Sequence, residues 1–145
     1  MNIRLAAKKD KNQVLQLFDE FSTFFKAEDI PSKVGGKIFD EVVSRKDTMI
    51  FVAEENNKLV GLITFYLLPN IRHGFRRGHI EDSFVTSSMR GKGVGTALFS
   101  AVKDYCIKNN IKVIKLDSNL ELPEAHKFYE EMGGKTTERF FRFDL

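Results

Sequence analysis

Residues 83–105 read SFVTSSMRGKGVGTALFSAVKDY. A short apolar stretch runs into a loop where Gly91, Gly93 and Gly95 stand at every second position beside Arg90 and Lys92. Apolar residues at helical spacing follow. A strand that feeds such a loop and then a helix presents unpaired backbone N–H groups at the positive end of the helix dipole. Glycine removes the Cβ that would hold an anion away from those amides. One or two glycines would signal no more than a turn. Three, alternating and flanked by cations, point to an anion-binding loop over Arg90, Gly91, Lys92, Gly93, Val94, Gly95 and Thr96.

The spacing excludes two nucleotide loops. A P-loop reads G-x-x-x-x-G-K-S/T, whereas Lys92 is followed by Gly93. The dinucleotide fingerprint asks for Gly or Ala at position 96, which is Thr, and for an apolar strand ahead of the loop. Here that strand carries Glu81 and Asp82. Asp117 lies where that motif places its ribose-binding acid, but only one βαβ unit can be read, too little for a dinucleotide fold.

Outward from the loop, Val94, Leu98, Ala101, Val102 and Tyr105 give one apolar helix face ending near Asn109-Asn110. Upstream, NIRLA (2–6) reads as a strand. Residues 8–26 set Val14, Leu17, Phe18, Phe21, Phe24 and Phe25 at helical spacing. After a polar break at 27–33 comes a second amphipathic helix with Ile38, Val42 and Val43. Residues 48–69 read as two strands joined by a tight turn at Asn56-Asn57, NIRHGFRRG (70–78) as a polar loop and HIEDSFV (79–85) as a strand. Downstream, KVIKLDS (112–118) reads as a strand, PEAHKFYEEMGG (123–134) as a helix closed by glycine, and TTERFFRFDL (136–145) as a last strand. The order β-α-α-β-β-β-α-β-α-β predicts one α/β domain over residues 1–145. Its central sheet is mixed, antiparallel in the N-terminal strands with a late βαβ crossover, and is flanked by about four helices.

Composition narrows the classes. With 42% hydrophobic and 30% charged residues, the chain has the balance of an ordinary folded domain. No apolar stretch approaches the roughly 20 residues that cross a bilayer, and residues 1–13 lack the apolar centre of a signal peptide, so no membrane association is expected. One cysteine, Cys106, allows no internal disulfide and points to the reducing cytoplasm. A net charge of +3 without a run of five cations gives no nucleic-acid signature. His73, His79 and His126 are too scattered to predict a metal site.

Arg90, Gly93 and Gly95 satisfy the pattern Arg/Gln-x-x-Gly-x-Gly/Ala, and with IEDSFVTSSMRGKGVG (80–95) and EAHKFYEEMGG (124–134) the chain resembles the GNAT superfamily of N-acetyltransferases. The likeness extends to the order of elements and is densest from His79 to Gly134. It implies acetyl-CoA as cosubstrate, its pyrophosphate on the amides of residues 90–96. It also implies a strand that splays from its neighbour, so that main-chain groups near Phe84 and Val85 pair with the pantetheine arm. An N–H near Val85 would polarise the thioester carbonyl. Tyr129 falls at the family's tyrosine position, and a phenol of pKa near 10 can protonate a leaving thiolate. Where many relatives carry Asn seven residues before that tyrosine, this chain has Leu122; either Asn119, three positions earlier, substitutes for it or the contact is absent. Gly134 stands where an aromatic is usual.

Glu81 is the candidate general base, because EDSFV is similar to the same stretch of polyamine and diamine acetyltransferases. Strand alternation places Glu81 and Asp82 on opposite faces, and a salt bridge from Glu81 to Arg76 or Arg77 is the competing, purely structural role. Cys106 reads as a core residue, which favours direct attack in a ternary complex over an acetyl-enzyme. His126 reads as a helix-packing residue.

By the same resemblance the acceptor is walled by the first two helices, their connection and the strand before the glycine loop. That region offers Phe21, Phe24, Phe25, Glu20, Glu28 and Asp29, with Asp82 a further candidate; core phenylalanines and solvated acids are the competing reading. Aromatic faces and carboxylates suit a small cationic amine. A protein N-terminus or lysine is the alternative acceptor, and a non-catalytic acetyl-CoA sensor is the alternative of another class. The terminal ERFFRFDL strand suggests a homodimer.

Overall fold

Asn56 and Asn57 adopt left-handed backbone angles, φ 50° and 62°. The primed two-residue hairpin turns require such angles, and asparagine accepts them more readily than other residues with a Cβ. The turn joins β2 (Thr48–Glu55) to β3 (Lys58–Asn70). The computed structural model describes residues 1–25 and 30–145, which form two compact units, Met1–Lys115 and Leu116–Leu145.

In the first unit, β1 (Asn2–Leu5), α1 (Lys11–Phe24), α2 (Pro31–Val34) and α3 (Gly36–Ser44) precede that hairpin. Then follow β4 (Phe75–Val85), α4 (Val94–Lys108) and the start of β5 (Ile114–Leu116). The sheet order is β1-β2-β3-β4-β5. The first four strands pair antiparallel, and α4 carries the chain over to β5 beside β4, the crossover that makes the sheet mixed.

Alternation sorts the strand side chains into two layers. Ile50, Val52, Leu62 and Phe84 join Val14 and Leu17 of α1 and Phe39 of α3 in a buried cluster. On the other face Phe51 and Phe65 meet Tyr105 of α4 edge-on, with centroids 5.9–6.2 Å apart. Removing a fully buried side chain such as Leu62 costs roughly 2–5 kcal/mol. Arg4 of β1 ties the sheet to the start of α1: its guanidinium donates to both oxygens of buried Asp10, at 2.7 and 2.9 Å, and to Glu54 at 2.8 Å.

The second unit holds α5 (Pro123–Glu131). Its N-terminal turn is closed by His126, whose Nε2 lies 2.9 Å from the Asn119 carbonyl, so this histidine serves local packing as expected. Gly133, at φ 91°, ends the helix.

Several expectations are corrected. No strand forms over 136–145, where Phe140, Phe141 and Phe143 are exposed; alternation alone supplies no partner edge. Among the described residues five α-helices form, in keeping with the expected about four; the one-turn α2, opened by Pro31 with its φ preset, is the addition. Ile38 points to solvent and Phe39 takes the core position of α3. The polar stretch 70–78 is mostly hairpin: β3 reaches Asn70, β4 begins at Phe75, and Gly74 at φ 67° makes the turn. Its cross-strand ladder does not depend on burial, so apolar patterning missed it. The strand sought at 112–118 shrinks to Ile114–Leu116.

Candidate active site

Strands β3 and β4 shift register once within their pairing. Ile63 pairs with Ser83 and Phe65 with Ile80, so Glu81 and Asp82 together oppose the single residue Thr64. This is a β-bulge. Ile80 and Ser83 lie opposite Phe65 and Ile63 on one face, which leaves both acids on the other, with Thr64 and Tyr66. Simple alternation would have separated them; the extra residue cancels it.

The bulge is pinned by hydrogen bonds. Thr64 Oγ1 donates to Asp82 Oδ2 at 2.7 Å and accepts from the Asp82 N–H at 2.8 Å. Thr64 is buried and Asp82 half-buried. Burial pushes the Asp82 carboxyl above the usual carboxylate range, and nearby Glu81 adds to this, against the opposing pull of the Thr64 bond. Tyr66 on the same face is raised by burial first, then by Asp82 and Glu81. Glu81 itself is exposed, with Oε2 3.2 Å from His79 Nε2. Among the described residues Glu81 forms no ion pair with Arg76 or Arg77, so the structural role weighed for it is not what the geometry shows.

Past Val85 the chain enters the glycine loop. Gly91 and Gly93 take φ 70° and 79°, and a Cβ at either would meet no atom within 4 Å. Backbone conformation, not crowding, selects glycine there. Gly93 caps α4 without a side-chain hydrogen bond, and the first turn holds no acid. The helical ladder starts with the Ala97 N–H to the Gly93 carbonyl at 3.0 Å, so the amides before it lack acceptors within the helix. Amides ahead of a 15-residue helix, with open space above two of the glycines and no competing carboxylate, fit a pyrophosphate. β4 has eleven residues and β5 three, so part of the second edge of β4 outruns its neighbour.

Arg90 does not project from this loop. Its Nε donates to the Val85 carbonyl at 3.0 Å, and its guanidinium carbon lies 4.8 Å from the Phe24 centroid and 5.5 Å from that of Phe84. The rings continue as a row, Phe84 to Phe21 at 5.1 Å, Phe21 to Phe25 at 5.0 Å and Phe25 to Phe24 at 5.2 Å. Phe24 and Phe25 thus end on the surface beside the loop, while Glu28 and Asp29 lie outside the described residues.

Glu20 is committed elsewhere than to an acceptor. Its carboxylate accepts from Thr86 Oγ1 at 2.6 Å and from the Ser87 N–H at 2.9 Å. Burial would raise its pKa, yet these bonds and Arg90 hold it below the usual range. α1 thereby anchors the junction between β4 and the loop. The Cys106 thiol is buried and pushed up to about 11 by that burial, which suits a core residue and not a nucleophile.

In the second unit, half-buried Tyr129 meets Phe128 edge-on at 5.3 Å. Asn119 uses its Oδ1 to accept from the Glu121 N–H at 2.9 Å. A Cβ at Gly134 would fall 2.8 Å from the Tyr129 carbonyl, so the aromatic usual at that position does not fit this geometry. Among the described residues no cluster of His, Cys, Asp and Glu is placed to hold a metal. Thr64 escaped the reading of the sequence, although one hydroxyl inside the apolar run GLITFYLL is a signal, since a buried hydroxyl needs a partner.

A mixed sheet whose fourth strand carries paired acids and runs into an uncapped helix N-terminus has the parts that a group-transfer enzyme with an anionic carrier needs. The model of the Acetyltransferase (GNAT) family matches residues 12–134, and the chain belongs to that family. It is an acyltransferase, and acetyl-CoA is the acetyl donor of the family. The uncharacterized N-acetyltransferase YhfO of Bacillus subtilis (strain 168) is 29% identical over 147 residues, covering 100% of this chain and 97% of that protein. The glucosamine 6-phosphate N-acetyltransferase of Trypanosoma brucei brucei is 37% identical over 103 residues, 68% of this chain and 65% of its own. Among solved structures, a ribosomal-protein-alanine N-acetyltransferase of Brucella melitensis biovar Abortus 2308 shares the fold at a TM-score of 0.84, with 20% identity over 99% of this chain and 98% of that one.

Proposed function

We propose that residues 1–145 act as one N-acetyltransferase domain that moves the acetyl group of acetyl-CoA to the primary amine of a small cationic acceptor. The observation that carries this reading is the Glu81–Asp82 bulge, which turns two carboxylates to one face beside Tyr66. Two acids and an aromatic hydroxyl recognise an ammonium group. The trypanosomal relative, named for glucosamine 6-phosphate, supports a small-molecule acceptor.

The roles follow from the chemistry. Amides of residues 90–96 hold the pyrophosphate of the donor, and an N–H near Val85 faces the thioester oxygen, where negative charge develops. The Val85 carbonyl accepts from Arg90 Nε and keeps a second lone pair for the donor's arm. Glu81 takes a proton from the ammonium, directly or through water, and passes it to solvent. The free amine then attacks the carbonyl carbon; the C–N bond forms and the C–S bond breaks. Tyr129 gives its proton to the departing sulfur and is replenished by the second proton that nitrogen loses. Asp82, Phe24 and Phe25 line the acceptor side, and Asn119 stands in for the missing asparagine. Buried Cys106 and the lone-cysteine composition support a cytoplasmic setting, and the exposed Phe140, Phe141 and Phe143 support a homodimer.

Thiol release from acetyl-CoA, measured across diamines, amino acids, aminoglycosides and peptides, tests the reading. It predicts stimulation by at least one small amine over every peptide. Stimulation by peptides alone favours a protein acceptor, and binding without stimulated release favours a sensor.

A further inference from the structure

Arg77 occupies the same face of β4 as the two acids. The β3–β4 register runs unbroken from Tyr66–His79 to Leu68–Arg77, so Arg77, His79, Glu81 and Asp82 follow one another along one face. Arg77 is half-buried, yet it has no hydrogen bond or ion pair with another described residue. Its neighbour Arg76 points to the other face and lines a depression with Arg45, Lys46 and Asp47, where Asp47 is already held by Arg45 at 2.8 and 2.9 Å. No acid at all occurs between Asn70 and Ile80.

A half-buried guanidinium that no protein carboxylate engages keeps its planar fork of donors available to an oxyanion. Along this face the charge therefore changes sign, from Arg77 at one end to Glu81 and Asp82 at the other. Arg77 and Glu81 lie four residue steps apart along the strand, about 13 Å before the bulge shortens it. A linear molecule with an ammonium at one end and an oxyanion several bonds away complements that strip.

We propose that the acceptor is an amine bearing a phosphoryl or carboxylate group, with Arg77 gripping the oxyanion while Glu81 and Asp82 receive the ammonium. This rests on the acetyl transfer to a small amine proposed above and revises the charge of its acceptor, from cationic to zwitterionic: a diamine brings its second cation against Arg77 and is disfavoured.

The test compares kcat/KM for 4-aminobutyl phosphate, 4-aminobutanoate, 4-aminobutanol and 1,4-diaminobutane with acetyl-CoA as donor. The expected result is at least a tenfold preference for one oxyanion-bearing amine over the alcohol, the better of the two identifying the group. Arg77→Met reduces that ratio to within threefold of unity. Arg77→Lys, which keeps a point charge without the fork, reduces it less. A wild-type ratio near unity, or a ratio unchanged in both variants, overturns the oxyanion subsite while leaving small-amine transfer standing. Absence of turnover with all four compounds overturns the small-amine reading and the subsite with it.

Discussion

Thr64 and Asp82 hold each other twice across the β3–β4 bulge: the hydroxyl donates to the carboxylate at 2.7 Å and accepts from the same residue's N–H at 2.8 Å. One side chain thus satisfies the amide that the bulge takes out of the ladder and orients the acid that the bulge turns inward. Thr64→Val keeps the shape and removes both bonds. It is expected to cost roughly 1–3 kcal/mol, the penalty for buried polar groups left unpaired, and to lower turnover, with Thr64→Ser close to wild type. Urea unfolding and thiol release on the three proteins measure both effects.

Asp82 and Asp10 are predicted to respond to pH with opposite signs. Hydrogen bonds from Arg4, opposed in part by burial, hold Asp10 below its usual value of 3.8. A lowered carboxyl contributes stability that is complete above that value and is lost as pH falls through the folded-state pKa. Asp82 is raised, chiefly by burial, so its contribution is present below 3.8 and is lost as pH rises through its folded-state pKa. At pH 7, Asp10→Asn is therefore expected to cost roughly 1–3 kcal/mol, since Arg4 is partly exposed and keeps Glu54. Asp82→Asn is expected to leave the midpoint of urea unfolding unchanged or higher.

Glu20 links α1 to the two residues after β4 through Thr86 and Ser87. Glu20→Gln replaces one acceptor oxygen by a donor and is expected to weaken coenzyme A binding about tenfold, the equivalent of about 1.4 kcal/mol. Its effect on the KM of the acceptor should be smaller. Calorimetric titration with coenzyme A, beside acceptor saturation curves, separates the two.

Gly93→Ala forces a Cβ into the left-handed region at φ 79°, at a cost of about 1–2 kcal/mol. Because open space surrounds that Cβ, the fold tolerates it. The larger loss is expected in coenzyme A affinity, where the methyl group intrudes on the amides. Equal losses in melting temperature and affinity would assign the glycine to folding alone.

The glycine loop and the order of elements were legible because their signals are local. Three alternating glycines, two asparagines at a turn and helical apolar spacing each act within a few residues. What the sequence hid is cross-strand. The face of Glu81 and Asp82 depends on a register shift opposite Thr64, fifteen or more residues away, and no periodicity within β4 reveals it. Glu20 looked like an acceptor acid for the same reason, since its partners Thr86 and Ser87 lie 66 and 67 residues on. The terminal strand failed in the other direction: ERFFRFDL has strand-forming residues, but a strand needs an edge to pair with, and propensity does not supply one.

The most direct test measures turnover with acetyl-CoA and a responsive small amine for wild type, Glu81→Gln and Tyr129→Phe, with coenzyme A affinity determined on the same samples. Each variant is predicted to lose at least tenfold in kcat while binding coenzyme A within threefold of wild type. Wild-type turnover in both variants, or a rate loss matched by an equal loss of coenzyme A binding, would contradict the proton-transfer roles given to Glu81 and Tyr129.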